Sequence, residues 1–252
     1  MISQQMIGAV SVIRFDRPEA LNALSSQALD GFEAALGTVA ASNARAVIVT
    51  GSGERAFSTG ADIRELGPRD ANEVRHASKR GQAIAASIAD LPMPSFAHLN
   101  GYALGGALEL ALACTFRLAT PNARLGFPEV KLGVSTGWGG TQRLPRLIQL
   151  QFALDLLMSG RTIDADEARR IGLVHSIVDT LDDTIGFSRQ FTENSLVAMR
   201  YVRSAVMGAS ERTLSDGLNL ETETSVDSYA TFDAREGIAA FLQKRDPNFE
   251  DR

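Results

Sequence analysis

Two glutamates twenty residues apart, Glu109 and Glu129, stand in apolar surroundings just after glycine-containing turns. Glu109 follows Gly105-Gly106-Ala107-Leu108, and Glu129 follows Gly126-Phe127-Pro128. A carboxylate among Ala, Leu and Phe is expensive to bury unless it is paired or keeps its proton. Two of them near one apolar site form a candidate acid/base couple, because neighbouring carboxyls push their pKa values apart. The diglycine adds a second chemical element. The first N–H groups of a helix have no internal partner, and two glycines let a substrate oxygen approach the main chain. Gly106 therefore offers one half of a possible oxyanion hole, and Thr59-Gly60-Ala61-Asp62 offers another glycine-containing turn for the other half. Taken singly, each feature reads as a tight turn or close packing. Gly-Ala-Asp, Gly-Gly-x-x-Glu and Pro-Glu in one chain point to chemistry.

These residues need a scaffold. Val10, Val12, Ile13 and Phe15 predict a short strand, stopped by Arg17-Pro18. A helix follows from about Ser25, with Leu29, Phe32, Leu36 and Val39 on one face. Residues 46–50 form a β-branched run closed by Gly51-Ser52-Gly53, which predicts a buried strand. Residues 61–66 predict the first turn of a helix, and residues 72–89 a longer polar one. Residues 96–99 predict a strand, Gly105-Gly106 opens a helix through Cys114, and residues 116–119 form another strand before Pro121-Asn122. Alternating strands and helices imply an α/β core. After Gly137-Trp138-Gly139-Gly140 the pattern becomes helical. Asp164 caps a short helix, and from Asn194 onward only helices are expected, the last with a capping-box spacing at Asp233 and Glu236.

Composition narrows the function classes. The 252 residues can bury a large core, with apolar and charged fractions ordinary for a globular protein. A net charge of −5 with no basic run argues against a nucleic-acid surface. The single cysteine, Cys114, excludes a disulfide framework and reads as a small buried apolar residue. His76, His98 and His175 lack ligand spacing, so no metal site is expected. The first eight residues lack the features of a signal or transit peptide, and no apolar run is long enough to span a bilayer. A cytoplasmic protein with no membrane partner is the expectation.

Several long motifs, in order along nearly the whole chain, resemble the crotonase superfamily. They are Arg17-Pro18-Glu19-Ala20-Leu21-Asn22-Ala23-Leu24, Ala56-Phe57-Ser58-Thr59-Gly60-Ala61-Asp62-Ile63-Arg64-Glu65-Leu66 and Asn100-Gly101-Tyr102-Ala103-Leu104-Gly105-Gly106-Ala107-Leu108-Glu109-Leu110. Pro128-Glu129-Val130-Lys131-Leu132-Gly133, Gly137-Trp138-Gly139-Gly140-Thr141-Gln142-Arg143-Leu144 and Phe241-Leu242-Gln243-Lys244-Arg245 follow. The resemblance implies an α/β fold, a spiral of ββα units over residues 1–193, with a C-terminal helical region over residues 194–252 that closes the CoA pocket and builds homotrimers or hexamers. It implies an acyl-CoA thioester as substrate, with coenzyme A part of that substrate and no further cofactor. By position, the N–H groups of Ala61 and Gly106 hold the thioester oxygen. Ala20, Leu21, Thr59, Asp62, Ile63, Gly137 and Lys244 line the substrate and CoA path. Both positions that hydratases fill with glutamate are glutamate here, which implies reversible hydration of a 2-enoyl-CoA. Trp138 stands where relatives often carry a small residue, and Thr115 and His98 also depart from the pattern.

Other readings remain. An enoyl-CoA isomerase or another acyl-CoA lyase of the superfamily uses the same amide pair. A non-catalytic CoA- or RNA-binding homologue is opposed by the intact acid pair. Gly133-Val134-Ser135-Thr136-Gly137 fits the G-x-S-x-G pattern of a serine hydrolase elbow, with His175 and Asp164 or Asp166 downstream, but the residues before it make a poor strand.

Overall fold

The computed structural model describes residues 1–65, 67 and 70–252. Leu66, which ends one of the quoted motifs and the helical turn expected there, lies outside the described residues. The chain divides into two compact units, Met1–Ser188 and Arg189–Arg252.

The first unit runs β1 (Ile2–Ile7), β2 (Val10–Phe15), α1 (Ser26–Ala40), β3 (Ala46–Gly51), β4 (Ala56–Ser58), α2 (Ala71–Ala89), β5 (Ser95–Leu99), β6 (Tyr102–Leu104) and α3 (Gly106–Ala111). It continues with β7 (Phe116–Ala119), β8 (Arg124–Gly126), α4 (Gly140–Leu147), α5 (Leu150–Ser159), β9 (Thr162–Asp164), α6 (Ala165–Arg170) and β10 (Ser176–Ile177), and α7 (Leu181–Thr192) begins in it. A large sheet has the order β1-β2-β3-β5-β7-β10 and a small one the order β4-β6-β8-β9. All pairs from β2 to β10 in the large sheet are parallel, and β3 and β5 are buried along their whole length. That is the burial a parallel sheet with both faces covered requires. β1 was not expected. Its middle is exposed and polar, so it shows no apolar alternation, and it pairs antiparallel with β2 at the sheet edge.

The helices follow from local signals. The Ser25 side chain accepts from Ala28 N–H and starts α1, which buries Leu29, Phe32, Leu36 and Val39. Phe32 packs on Phe15 of β2 with ring centroids 4.9 Å apart. Asp70 and Glu73 form a full capping box at the head of α2.

One repeat explains how the candidate residues meet. A strand in the large sheet, a strand in the small sheet and a helix recur as β3-β4-α2 and β5-β6-α3. β7 and β8 begin a third unit, with a 3-10 helix over Pro128–Leu132 in the helix position. β4, β6 and β8 are parallel neighbours in the small sheet. Their C-terminal ends therefore lie side by side, and each is followed by one candidate segment: Gly60-Ala61, Gly105-Gly106 and Pro128-Glu129.

Three local expectations need correction. α3 ends at Ala111 rather than Cys114. The residues from Glu129 to Leu132 form a 3-10 helix and no strand, which removes the serine-elbow geometry altogether. In the second unit, the last helix is capped by Thr231 and not Asp233. That unit is helical, with α8 (Leu196–Gly208), α9 (Leu214–Tyr229) and α10 (Phe232–Gln243). Asp233 is 2% exposed inside α10 and accepts from Glu250 and Asp251 N–H, so its carboxylate ties the chain end to the helix. No helix among the described residues is long and apolar enough to cross a membrane.

Candidate active site

Gly105 adopts φ +53° between β6 and α3, a conformation that favours glycine. Its N–H donates to Gly126 O at 3.0 Å, which pins the head of α3 to the end of β8. A Cβ at Gly105 would lie 3.0 Å from Oε1 of Glu129, so the glycine also leaves the room the glutamate occupies. Gly60 has φ +87°, and a Cβ there would approach Leu104 O at 2.7 Å and Gly106 N at 3.4 Å. The turn that carries Ala61 thus abuts the head of α3. Among the described residues, no hydrogen bond takes up the N–H of Ala61 or of Gly106. Two unclaimed main-chain donors on touching turns are the arrangement an oxyanion hole needs.

The two carboxyls sit in different electrostatic settings. Glu109, on α3, is 1% exposed. Its Oε1 accepts from Trp138 N–H at 2.8 Å and Gly140 N–H at 2.6 Å. Burial raises its pKa, while these amides and the Arg143 charge oppose the rise by favouring the carboxylate. Gly140 leaves room for the clamp, since a Cβ there would lie 3.0 Å from Oε1 and press on the Glu109 side chain. Glu129, half-buried in the 3-10 helix, is met by its own main-chain N–H, and among the described residues no other residue donates to it. Its buried Oε2 has no hydrogen-bond partner among the described residues. Burial pushes its carboxyl up to about 7; its own main-chain N–H opposes the rise, and the nearby charge of Glu109 adds to it. A carboxyl with that value holds its proton part of the time at neutral pH, whereas an ordinary glutamate does not.

Of the residues expected along the CoA path, Leu21, Thr59 and Asp62 lie on two segments joined by main-chain hydrogen bonds. Thr59 N–H donates to Leu21 O at 3.2 Å, Leu24 N–H to Gly60 O at 2.8 Å, and Asp62 N–H to Leu24 O at 3.1 Å. This short zipper lays the 20–24 segment against residues 59–62. Leu21 is in the left-handed region at φ 50°, as the cap of a 3-10 helix over Pro18–Ala20. The Asp62 carboxylate pairs with Arg17 at 3.2 Å and Arg64 at 3.1 Å, and the Arg64 bond foremost holds it below the usual range. Ile63 is largely exposed in a 3-10 turn. Gly137 O accepts from Gln82 Nε2 at 2.9 Å, joining the glycine-rich loop to α2. Lys244 belongs to the second unit, where it caps α10 in the left-handed region at φ 55°. A cavity of about 550 Å³ borders Ala61, Leu24 and Trp138, between α1 and α2.

Sequence reasoning missed the amide clamp on Glu109 and the second orphaned oxygen, Thr136 Oγ1. The clamp has a sequence signal in Gly137-Trp138-Gly139-Gly140, since a glycine-rich loop can present its amides inward. Its target lies about thirty residues away and is not legible from spacing.

Stacked ββα units, with a diglycine helix head beside a buried and a half-buried carboxyl, define the crotonase class. Residues 5–252 match the family model described as enoyl-CoA hydratase/isomerase, and the chain belongs to that family. It is 36% identical over 242 residues to a short-chain-enoyl-CoA hydratase of Clostridium acetobutylicum, covering 94% of this chain and 93% of the relative. It is 37% identical to a crotonyl-CoA hydratase of Syntrophomonas wolfei, covering 95% of this chain and 94% of the relative. An enoyl-CoA hydratase from Bacillus anthracis superposes over 100% of this chain and 99% of its own, with a TM-score of 0.94 at 36% identity.

Proposed function

We propose that the protein is an enoyl-CoA hydratase that adds water reversibly across the double bond of a 2-enoyl-CoA thioester. The observation that carries this reading is the asymmetry of the two carboxyls. Glu109 accepts two main-chain hydrogen bonds that favour its carboxylate against the rise burial causes, and Glu129 is an orphaned carboxyl pushed up to about 7. Hydration needs one group that accepts a proton and one that supplies one. In the proposed reaction the thioester oxygen sits between the Ala61 and Gly106 amides. Glu109 orients a water and accepts its proton as the hydroxyl attacks the β-carbon. The electron pair of the double bond moves onto the thioester oxygen, and the two amides stabilise that enolate by about 3 kcal/mol each. Glu129 then gives its proton to the α-carbon. A proton passing from Glu109 back to Glu129 restores the starting state.

Isomerisation moves one proton between carbons of the same substrate and leaves a second carboxyl with no task. The presence of both carboxyls at the diglycine favours hydration. The main chain of Ala20, Leu21, Thr59, Asp62 and Ile63 is the proposed CoA path, because the Asp62 side chain is already committed to two arginines. Lys244 is proposed to meet the CoA phosphates. The second unit is proposed to build a trimer or hexamer. Val202, Val206 and Met207 on α8 and Phe241 and Leu242 on α10 are all more than half exposed, a patch of the kind that marks an interface. Sedimentation at micromolar concentration should return a trimer or hexamer, and a monomer would remove the oligomer proposal.

Hydration of crotonyl-CoA, followed by loss of the enoyl thioester absorbance, tests the activity. The acid form of Glu129 is the working form, so kcat/KM for hydration should fall as pH rises through about 7. A rate independent of pH up to 9 would contradict the role given to Glu129.

A further inference from the structure

The cavity between α1 and α2 is walled by Trp138, and the indole is held there by two glycines. A Cβ on Gly81 of α2 would overlap Cγ, Cδ1 and Cδ2 of the ring. A Cβ on Gly106 would come within 2.7 Å of Cε3 and 2.8 Å of Cζ3. The five-membered ring therefore rests on α2 and the six-membered ring on the head of α3, beside the unclaimed Gly106 amide. The cavity itself begins at Ala61, which carries the other amide. Trp138 also serves Glu109, but only through its backbone N–H, so the side chain is separable from the clamp.

The charges around the cavity are already spent on the protein. Asp62 pairs with Arg17 and Arg64. Glu65 accepts from Ser26 N–H and Oγ at 2.8 Å each, and Glu73 accepts from Asp70 N–H at 2.8 Å. Arg80, the arginine on the wall, pairs with Asp30 at 2.5 Å and Glu33 at 2.7 Å. An anionic group entering here meets three carboxylates and an arginine that two others already neutralise. Leu24, Leu29, Ala61, Ala77 and Trp138 supply the apolar part of the wall, which Asn72 and His76 also line.

We infer that this cavity takes an uncharged aliphatic acyl chain and that the Trp138 indole sets the length it accepts. The inference rests on the acyl-CoA reading of the site but not on the hydration step. Removing the indole adds its volume to the cavity next to the amide pair, and each added methylene in an apolar pocket changes selectivity about tenfold or more.

Titration calorimetry with butyryl-CoA, decanoyl-CoA and glutaryl-CoA, on the wild type and the variants Trp138→Ala and Trp138→Phe, tests this independently of turnover. The decanoyl-to-butyryl affinity ratio should rise at least about tenfold in Trp138→Ala, with Trp138→Phe between it and the wild type. Glutaryl-CoA should bind the wild type at least about tenfold more weakly than butyryl-CoA. A chain-length ratio unchanged within about twofold in both folded variants, or glutaryl-CoA binding as tightly as butyryl-CoA, overturns the inference. So does the absence of binding by all three thioesters. Absence of crotonyl-CoA hydration with the expected binding pattern intact sinks the hydratase reading alone.

Discussion

The large sheet and the cleft both bury polar side chains, and they differ in how fully those groups are bonded. Around β5 and β7 the buried groups are satisfied. Arg117, 6% exposed, donates from Nε to Leu173 O and from a terminal nitrogen to Cys114 O, each at 2.8 Å. His98 Nδ1 meets Thr184 Oγ1 at 2.8 Å. Asn100 donates to Gly51 O and Gly53 O and accepts from Gly51 N–H. At the diglycine, Glu129 Oε2 is buried and finds no hydrogen-bond partner among the described residues. A buried polar atom without a partner costs roughly 1–3 kcal/mol, more if charged. The sheet uses polar groups to fix structure, and the cleft leaves Glu129, the proposed proton donor, with an oxygen that no described residue bonds. The same physics of burial lowers the His98 pKa to about 4 and raises that of Glu129 to about 7. Only the second shift falls on a group proposed to meet substrate, where it would serve as the proton donor.

The comparison is most strongly tested by rates. Glu129→Gln should cut hydration of crotonyl-CoA by about 10³–10⁴, some 4–5 kcal/mol of transition-state stabilisation, while leaving the fold intact. Steady-state kinetics beside circular dichroism checks both halves, and a variant within tenfold of wild type removes the contrast. Arg117→Leu should behave in the opposite sense. It strips donors from two buried carbonyls and should lower stability by about 3 kcal/mol in urea unfolding, while kcat of the folded fraction stays near wild type.

Acid should reveal the sheet next. The folded His98 pKa lies below its ordinary 6.5, so the folded state binds fewer protons there than the unfolded chain. The stability from keeping it neutral is complete above 6.5 and is lost as pH falls toward 4, on the order of 2 kcal/mol. His98→Gln should flatten that part of a stability–pH curve, and an unchanged slope would show that the histidine is not held neutral.

The smallest effect belongs to the cleft. The folded Glu129 pKa lies above its ordinary 4.5, so its contribution is complete below 4.5 and is lost as pH rises through about 7. Glu129→Gln should therefore be more stable than wild type at pH 8, by about 1 kcal/mol after allowing for its partial exposure, and equal to it at pH 4. Thermal unfolding at both pH values reads this directly.

Much of the scaffold was legible because its signals are local. Ser25 as a cap, the one-sided apolar face of α1 and the buried run of β3 are set by neighbouring residues. The small sheet was not legible, because β4, β6 and β8 have three residues each and too little pattern to register. That sheet is nevertheless what aligns Gly60-Ala61, Gly105-Gly106 and Pro128-Glu129. The residue types of the site could be read from Gly-Gly-x-x-Glu and Pro-Glu. The difference between the two glutamates could not, because it depends on amides of Trp138 and Gly140 folded back onto Glu109. Likewise Asp233 looked like a cap by spacing, and only the returning chain at Glu250 and Asp251 reveals its use.

A carbon-13 NMR titration of the side-chain carboxyls, with the Glu129 signal assigned by its loss in Glu129→Gln, measures the central quantity itself. A midpoint near 7 for that signal is expected. A midpoint at the ordinary glutamate value of 4.5 would mean that Glu129 holds no proton to give at neutral pH, and the division of labour between the two carboxyls would fall.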